Sequence, residues 1–456
     1  MSNGLETRVS RRKLLAGAAG VAGAVAAESL GGPALARAIP RRRLSPVTVT
    51  VMGNDEFTDA YIKDFESKNP NITINFVAFD AAKFQAMMAA GTPPDLWRTQ
   101  AALVPQWAKR GQLLPLDHYM NSSDLIRPGD MVAANNYYRW DGKQIGKGPR
   151  YGMCKDWSPD ETVFINTDFV KGLKGVHLPG PGDKWTYNDM WDLAWKIMKA
   201  KRPHWTLDVA NAYTWIDRQI MAMLAAKGKG LYPADYSRIN LTKNPEAAAI
   251  IAYWLKYAKN KMDLGPENPN PDGWSGPGFV APKGTVAMTQ YGYWFGGDMI
   301  GNAAATKRSR LLPAPIWNHG KKVDPTITAT GFVISAQTKN PDAAWAVFEY
   351  YMGGFPARDR AGQGWGVPAQ KSLFDRLPRT NAFQRNNINV LMHELPASSI
   401  ILQFNPNLVG LGDTTAVAAA YLKYLPAAAK GHMSLASFLK NIENDSNRAI
   451  DQGKNG

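Results

Sequence analysis

The aromatic and acidic residues of this sequence have the side chains that could bind a ligand or react with it. The chain of 456 residues contains 15 Trp and 17 Tyr. Such a content fits large hydrophobic cores, or a cleft whose rings stack on the apolar faces of sugars or bases. Two pairs of adjacent acidic residues, Asp55-Glu56 and Asp160-Glu161, have the carboxyl groups that a glycosidase uses. Because hydrolysis also needs two carboxyl groups held across one bond at a defined separation, these types favour binding and leave an enzyme as an alternative.

The sequence lacks the motifs of several other kinds of chemistry. Its six His never approach the spacing of metal ligands, and neither a P-loop nor a G-x-S-x-G nucleophile motif is present. The glycine-rich run at residues 362–366 lacks the preceding strand and the spacing of a dinucleotide fingerprint. With Cys154 as the only cysteine, an internal disulfide is excluded. We therefore expect a protein without a metal, a cofactor or a catalytic residue.

The first candidate site residues follow predicted strands near the start of the chain. Two alternating runs, Val47–Met52 and Ile72–Val77, flank a helical pattern at residues 58–68. A strand, a helix and a strand at this spacing predict a βαβ unit with parallel strands. Because ligands bind outside the carboxyl ends of such strands, we expect Asn54 and Asp55 to lie at a ligand edge.

A third strand is predicted at residues 95–97, after a Gly-Thr-Pro-Pro turn. We expect Asp95 and Trp97 to lie at the same carboxyl edge as Asn54 and Asp55. The apolar run Leu113–Leu116 is predicted to be core.

The same patterns predict the later strands and helices. Further strands are predicted at residues 162–165, 285–289 and 330–335, and residues 203–261 are predicted to be mainly helical. Thr186 and Asp189 have the spacing of a capping box at the start of a helix. Another helix is predicted from an N-cap at Asn340 to a C-cap at Gly353.

The first 38 residues have the features of an export signal. A twin arginine, Arg11-Arg12, precedes an apolar run at residues 14–27, and small-residue cleavage sites follow at residues 34–38. The run is too short for a membrane span, and the pattern resembles a twin-arginine signal, which implies export of a folded protein. With no cysteine at the cleavage site, we expect a soluble periplasmic protein without a lipid anchor.

Length and charge limit the remaining classes. A chain of 456 residues is too long for one core, so we expect two or more domains. The net charge is +15, and the signal carries five basic and two acidic residues, so the mature chain keeps about +12. The basic residues are scattered, so we expect no nucleic-acid partner. The charge does keep open a phosphorylated or acidic ligand, such as a glycerophosphodiester or a uronide.

Six runs in order resemble the family 1 extracellular solute-binding proteins of ABC importers, which include maltose- and other sugar-binding proteins. These runs, which span most of the chain, are PNITINFVAFDAAKFQAMMAAGTPPDLW, GQLLPLDHYM, YGMCKDWSPDETVFINTD, GTVAMTQYGYW, TGFVISAQTKNPDAAW and GWGVPAQKS. One departure is Ile165-Asn166, where the family often has Tyr-Asn; Trp157 is a candidate substitute for the missing ring.

The resemblance implies a two-lobe α/β fold (a type II periplasmic binding protein) with the ligand cleft between lobes that three chain crossings join. Lobe 1 would comprise residues 46–154 and 315–352, and lobe 2 residues 155–314 and 353–456. It also implies a monomer that closes on a mono- or oligosaccharide and delivers it to the permease subunits of an ABC importer. A secreted polysaccharide-active enzyme is the alternative from another class.

Residues that would contact this ligand are polar groups and rings at the predicted strand ends. Carboxylates and amides bond to hydroxyls, and flat rings cover C–H faces. The candidates are Asn54, Asp55, Asp95, Trp97, Trp157, Asp160, Tyr291, Tyr293, Trp294 and Trp365.

Overall fold

The structure is a computed structural model that describes residues 45–54, 56–269, 276–280, 284–408 and 414–455. The predicted export signal, residues 1–38, lies outside these residues, and so does Asp55. Within the described part of the chain, no helix is long and apolar enough to cross a membrane.

Two mixed sheets form the frame of the protein. The first has the order β2-β1-β3-β13-β6. Its strands are β1 (Val47–Gly53), β2 (Ile72–Ala78), β3 (Leu96–Thr99), β6 (Gly152–Cys154) and β13 (Gly331–Ile334). Strands β1, β2 and β3 are parallel, whereas β13 runs antiparallel to β3 and β6. The predicted βαβ unit is therefore present, with β1 and β2 paired in register over seven residues.

The second sheet has the order β10-β9-β11-β8-β12. Its strands are β8 (Val163–Asn166), β9 (Trp205–Asp208), β10 (Asp263–Leu264), β11 (Val286–Thr289) and β12 (Ser309–Leu312). The prediction that residues 203–261 are mainly helical is wrong at β9, which pairs with both β10 and β11. This strand has only four residues and is buried throughout, so it shows no alternation that would distinguish it from a helix.

Two small ribbons complete the strands. They pair β4 (Arg139–Trp140) with β5 (Ile145–Arg150), and β7 (Asp156–Trp157) with β14 (Val367–Pro368).

Helices connect and cover the strands. In chain order they are α1 (Asp59–Lys68), α2 (Ala81–Ala89), α3 (Val104–Lys109), α4 (Asp117–Asn121), α5 (Tyr187–Lys201), α6 (Ile216–Ala225), α7 (Pro245–Lys259), α8 (Gly276–Val280), α9 (Gly296–Met299), α10 (Ala303–Arg308), α11 (Pro341–Gly353), α12 (Phe355–Gln363), α13 (Ala382–Glu394), α14 (Ala416–Ala429) and α15 (Leu435–Asn455). Short 3-10 segments lie at Ala101–Leu103, Pro128–Asp130, Ala133–Tyr138, Thr167–Phe169, Tyr293–Phe295, Lys371–Arg376 and Leu395–Ser399.

Helix starts follow the predicted capping chemistry at one position and depart from it at another. Thr186 and Asp189 form the predicted capping box at the start of α5. Asn340 does precede α11, but its side chain makes no capping bond, and the helix continues through Gly353 to a C-cap at Gly354.

The chain passes between the two sheets through connecting segments that bond to each other. Residues 155–162 lead from β6 to β8, and residues 313–330 lead from β12 back to β13. The exact lobe boundaries stay a prediction. One tie between these segments is the Glu161 N–H, which donates to Asp324 Oδ1 at 2.7 Å.

Candidate ligand-binding site

The carboxyl ends of the two sheets face each other at the start of α6. Arg218, a fully buried residue of α6, donates from Nη1 to the carbonyl of Ile327 at 2.9 Å. The same nitrogen donates to the side chain of Gln100, the residue that follows β3. Because α6 follows the end of β9, these bonds bring the carboxyl edge of the second sheet against that of the first. Parallel sheets bind ligands at such edges.

Four rings at the edge of the second sheet form what we call the aromatic wall: Trp215, Tyr291, Trp294 and Trp365. Tyr291 lies 5.3 Å from Trp294 and 6.1 Å from Trp215, measured between ring centroids. Trp294 in turn lies 6.1 Å from Trp365. Trp294 and Trp365 are partly exposed, whereas Tyr291 and Trp215 are buried.

A glycine in α9 makes room for the outermost ring of the wall. A β-carbon added at Gly297 would overlap the indole of Trp365. Gly297 therefore lets α12 and the turn after it bring Trp365 against α9, next to Trp294.

Polar groups lie directly beside the inner rings. The Tyr291 hydroxyl donates to Asp208, the last residue of β9, and also lies 3.1 Å from Asn211 Oδ1. Asp208 is fully buried and holds Tyr291, whereas Asn211 is partly exposed. The wall therefore combines flat faces with an amide, and a carbohydrate site needs both kinds of group.

The backbone after β9 makes a full turn of left-handed helix. Ala210, Asn211, Ala212 and Tyr213 have φ values of 45°, 54°, 51° and 67°. Such a conformation costs about 1–2 kcal/mol per residue for residues other than Gly, and less for Asn. Elsewhere in the described chain, positive φ at residues other than Gly occurs singly or in a pair.

Specific bonds hold this left-handed turn in place. The Ala212 N–H donates to Asp208 Oδ1 at 2.6 Å, and the Tyr213 N–H donates to the carbonyl of Val209 at 2.7 Å. The buried Tyr213 hydroxyl donates to Asp263 Oδ2 at 2.6 Å, and its ring stacks 5.5 Å from Tyr421. Strained backbone persists only where its surroundings over-determine it, and here they do.

The carboxyl edge of the first sheet has charged side chains, whereas the carboxyl edge of the second sheet has aromatic rings. Asn54 follows β1 and is exposed, and its N–H donates to Glu56 Oε2 at 2.6 Å. Glu56 also pairs with Arg98 at 2.7 Å. Asn54 therefore lies where the sequence predicts it, whereas Asp55 lies outside the described residues.

The predicted position of Asp95 is wrong. The third strand is Leu96–Thr99, so Asp95 lies at its amino end, about 13 Å from its carboxyl end at 3.3 Å per residue. Its Oδ2 accepts from the Thr50 N–H at 2.8 Å and its Oδ1 from the Thr338 hydroxyl at 2.6 Å. Asp95 thus holds neighbouring strands together, away from the facing edges.

Trp97 is also misplaced by the prediction, because its side chain is only 1% exposed. Its ring lies 5.7 Å from Phe84 and 6.2 Å from Trp107. We call Trp97 and Trp107 the buried tryptophan pair. Within the described residues, neither indole N–H has an acceptor, which marks both as core side chains.

Trp157 and Asp160 lie in the connecting segment between the sheets, and both are buried. Trp157 pairs with Val367 in a short ribbon, and its Nε1 donates to the carbonyl of Pro368 at 3.1 Å. The Asp160 carboxylate accepts from the Ile327 N–H at 2.7 Å and from the Ser158 hydroxyl at 2.7 Å. Asp160 therefore joins the two connecting segments, whereas Trp157 joins the first of them to β14. Burial raises the pKa of Asp160.

Tyr293 lies in the turn between Tyr291 and Trp294. Its side chain is buried, and desolvation raises the pKa of its hydroxyl. Of the predicted residues, the structure therefore brings Tyr291, Trp294 and Trp365 into ring contact, with Tyr293 in the same turn.

The sequence reading missed Asp208, Asn211 and Trp215. Asp208 is the last residue of β9, a strand in the segment predicted to be helical, and Asn211 and Trp215 follow it. The signal that could have found them is the apolar run Trp205-Thr-Leu that ends on an acid, Asp208, before a short polar stretch.

The frame of two sheets and the site between their edges define a protein that binds a solute. A family model described as bacterial extracellular solute-binding protein matches residues 60–385. The chain belongs to this family, which confirms the family resemblance predicted from its six runs. A curated relative, an uncharacterised ABC transporter extracellular-binding protein from Pyrococcus horikoshii, is 25% identical over 363 residues, covering 72% of this chain and 74% of the relative.

Solved structures share the fold over nearly the whole chain. The ABC substrate-binding protein from Listeria monocytogenes, in complex with cycloalternan, has a TM-score of 0.71 at 18% identity, covering 89% of this chain and 100% of that chain. The binding protein from B. animalis subsp. lactis, in complex with β-1,6-galactobiose, has a TM-score of 0.67 at 19% identity, covering 90% and 98%. The GacH receptor of Streptomyces glaucescens, studied with acarbose, has a TM-score of 0.66 at 18% identity, covering 90% and 99%. This likeness confirms the predicted two-lobe α/β fold.

Proposed function

We propose that this protein binds a carbohydrate without changing it chemically and delivers it to the permease of an ABC importer. The observation that carries the proposal is the outer part of the aromatic wall. Trp294 and Trp365 are partly exposed side by side at 6.1 Å, and Asp208 and Asn211 bond to the adjacent Tyr291. Rings that stack on C–H faces beside groups that bond to hydroxyls suit a sugar.

The family and its relatives support the same class of ligand. Cycloalternan, β-1,6-galactobiose and acarbose are carbohydrate-like ligands of the three structural relatives named above. Delivery to a permease is supported by the ABC transporter relative. Closure would bring the charged edge around Asn54 and Glu56 against a ligand held on the wall.

Export and assembly complete the proposal. The twin-arginine pattern at Arg11-Arg12 supports export of the folded chain to the periplasm. We propose a monomer, without a lipid anchor, that meets its permease there.

Isothermal titration calorimetry tests the ligand class. The purified mature chain is titrated with maltose, β-1,6-galactobiose, cycloalternan, tagatose and glycerol 3-phosphate. Saturable binding of a neutral sugar, with an affinity that changes little with salt, supports the proposal. Binding only of glycerol 3-phosphate, with a steep loss of affinity as salt is raised, would replace the sugar with an anionic ligand. A folded protein that binds none of these solutes contradicts the proposal.

Incubation with an oligosaccharide tests whether the protein binds its ligand without cleaving it. The mixture of pure protein and β-1,6-galactobiose is followed by chromatography, and we expect no product. Release of monosaccharide would instead identify a hydrolase.

A further inference from the structure

The left-handed turn after β9 presents one amide side chain at the candidate site. Ala210 and Tyr213 are buried, whereas Asn211, Ala212 and Thr214 are partly exposed. The turn is therefore anchored on its inner side and open on the outer side. Relaxation to an ordinary backbone would carry Asn211 away from Tyr291, since the direction of its side chain depends on the left-handed conformation.

The amide of Asn211 has bonding capacity that its neighbours leave unused. An Asn side chain offers two N–H donors and an oxygen with two lone pairs. One side of the amide meets the Tyr291 hydroxyl at 3.1 Å, and Nδ2 donates to the Thr214 hydroxyl at 3.1 Å. The Thr214 hydroxyl already donates to the Asn211 carbonyl at 2.8 Å, so it can only accept from the amide, which places Nδ2 on that side. Among the described residues, these contacts leave one N–H and at least one lone pair of the amide. A donor and an acceptor side by side match two neighbouring hydroxyl groups.

A second physical argument comes from the strain itself. Four successive left-handed residues lower the stability of the fold, and side chains such as Tyr213 hold them in place rather than relieve them. Strain of this kind concentrates at ligand sites, and removing it commonly raises stability while lowering function.

We propose that Asn211 is a ligand-contacting residue that selects solutes with two adjacent hydroxyl groups, and that the left-handed turn exists to place its amide. This inference rests on the proposed carbohydrate function. It adds to that function a named residue and a requirement on the ligand. The amide donates one hydrogen bond to the first hydroxyl and accepts one from the second, beside the rings of the aromatic wall.

Asn211→Gly tests the proposal, with Asn318→Gly as a matched control. Both residues are Asn at positive φ, 54° and 40°, and Gly accepts this conformation freely. Asn318 lies near the far end of α6, where Lys227 donates to its carbonyl at 2.9 Å. The helix of ten residues separates the two positions by about 15 Å. The two variants thus make the same chemical change at the two ends of one helix.

Calorimetry with the tightest-binding sugar of the panel, together with thermal unfolding, gives the readout. We expect Asn211→Gly to lower affinity at least tenfold without lowering Tm, and Asn318→Gly to keep affinity within twofold. In Asn211→Asp the side chain keeps its size and still tolerates a positive φ, but it loses the N–H donors. The sugar affinity of this variant should therefore fall at least threefold. Affinity within twofold of wild type in either Asn211 variant, or an equal loss in Asn318→Gly, overturns the assignment. A wild-type protein that binds no sugar overturns the proposed function and this inference together.

Discussion

Two groups of tryptophans in this protein have similar sequence settings and opposite surroundings. Trp97 lies in a strand after a Pro-rich turn and is buried against Phe84 and Trp107. Trp294 follows strand β11 and Trp365 follows helix α12, each in a glycine-rich turn, and both rings are partly exposed, 6.1 Å apart. Both groups consist of rings in edge or tilted contact. A ring within a buried strand, such as Trp97, therefore packs in the core, whereas the rings in the turns after β11 and α12 stay at the edge of the second sheet.

The largest effect should come from the buried tryptophan pair. Trp97→Ala removes a fully packed side chain and should lower the free energy of unfolding by about 3–5 kcal/mol. Urea denaturation followed by circular dichroism measures this. Trp97→Phe fills most of the same space and removes an indole N–H without an acceptor among the described residues, so its loss should be much smaller. Equal, small losses in both variants would show that Trp97 is not core.

Truncation of a ring in the aromatic wall should lower ligand affinity rather than the stability of the fold. Trp365→Ala should weaken sugar binding by about tenfold to a hundredfold, or about 1.4–2.8 kcal/mol, because a partly exposed ring contributes mainly through contact with the ligand. The free energy of unfolding should change little, since the ring is only partly buried. Trp365→Phe, which keeps a flat ring, is the matched control and should retain most of the affinity. A Trp365→Ala protein that binds normally would move the ligand away from the wall.

Asp95 provides a further test of the difference between core and aromatic wall, because it lies at the amino end of the strand that contains Trp97. Asp95→Asn replaces one of the oxygens that accept from Thr50 and Thr338 with a donor. The free energy of unfolding should fall by about 1–2 kcal/mol, while calorimetry should show unchanged sugar affinity. Loss of affinity without loss of stability would return Asp95 to the ligand site.

The last prediction concerns Glu161, a buried residue that accepts hydrogen bonds from Tyr187 at 2.6 Å and from Gln219 at 2.7 Å. Burial raises its pKa to about 8, against about 4.3 in an unfolded chain. Between these values the folded state keeps a proton that the unfolded state releases, so stability is lost as pH rises, by at most about 1.4 kcal/mol per pH unit.

Glu161→Gln should therefore make the fall in stability between pH 5 and pH 8 shallower, as about one fewer proton is linked to unfolding. The remaining slope comes from groups such as Asp324, whose pKa burial also raises. Urea denaturation at each pH unit measures the slope. An unchanged slope would show that Glu161 is ionised in the folded protein.

Much of the frame follows from sequence because its signals are local. The alternation in β1 and β2 and the capping box at Thr186 depend on residues a few positions apart. Strand β9 was missed because four buried residues show no periodicity, and the candidate site residues Asp208 and Asn211 were missed with it. The failure at Asp95 has a different cause: the strand begins just after this residue and continues to Thr99, so Asp95 lies at its amino end and not at its carboxyl end. Contacts such as that between Trp365 and Gly297 join distant segments, and only the fold brings them together.

The most direct test of the central claim is calorimetry of wild type, Trp365→Ala and Trp97→Phe with the tightest-binding sugar of the panel. We expect wild type and Trp97→Phe to bind alike, whereas Trp365→Ala should bind at least tenfold more weakly while remaining folded. Equal affinity in wild type and Trp365→Ala, with or without a loss in Trp97→Phe, would contradict it.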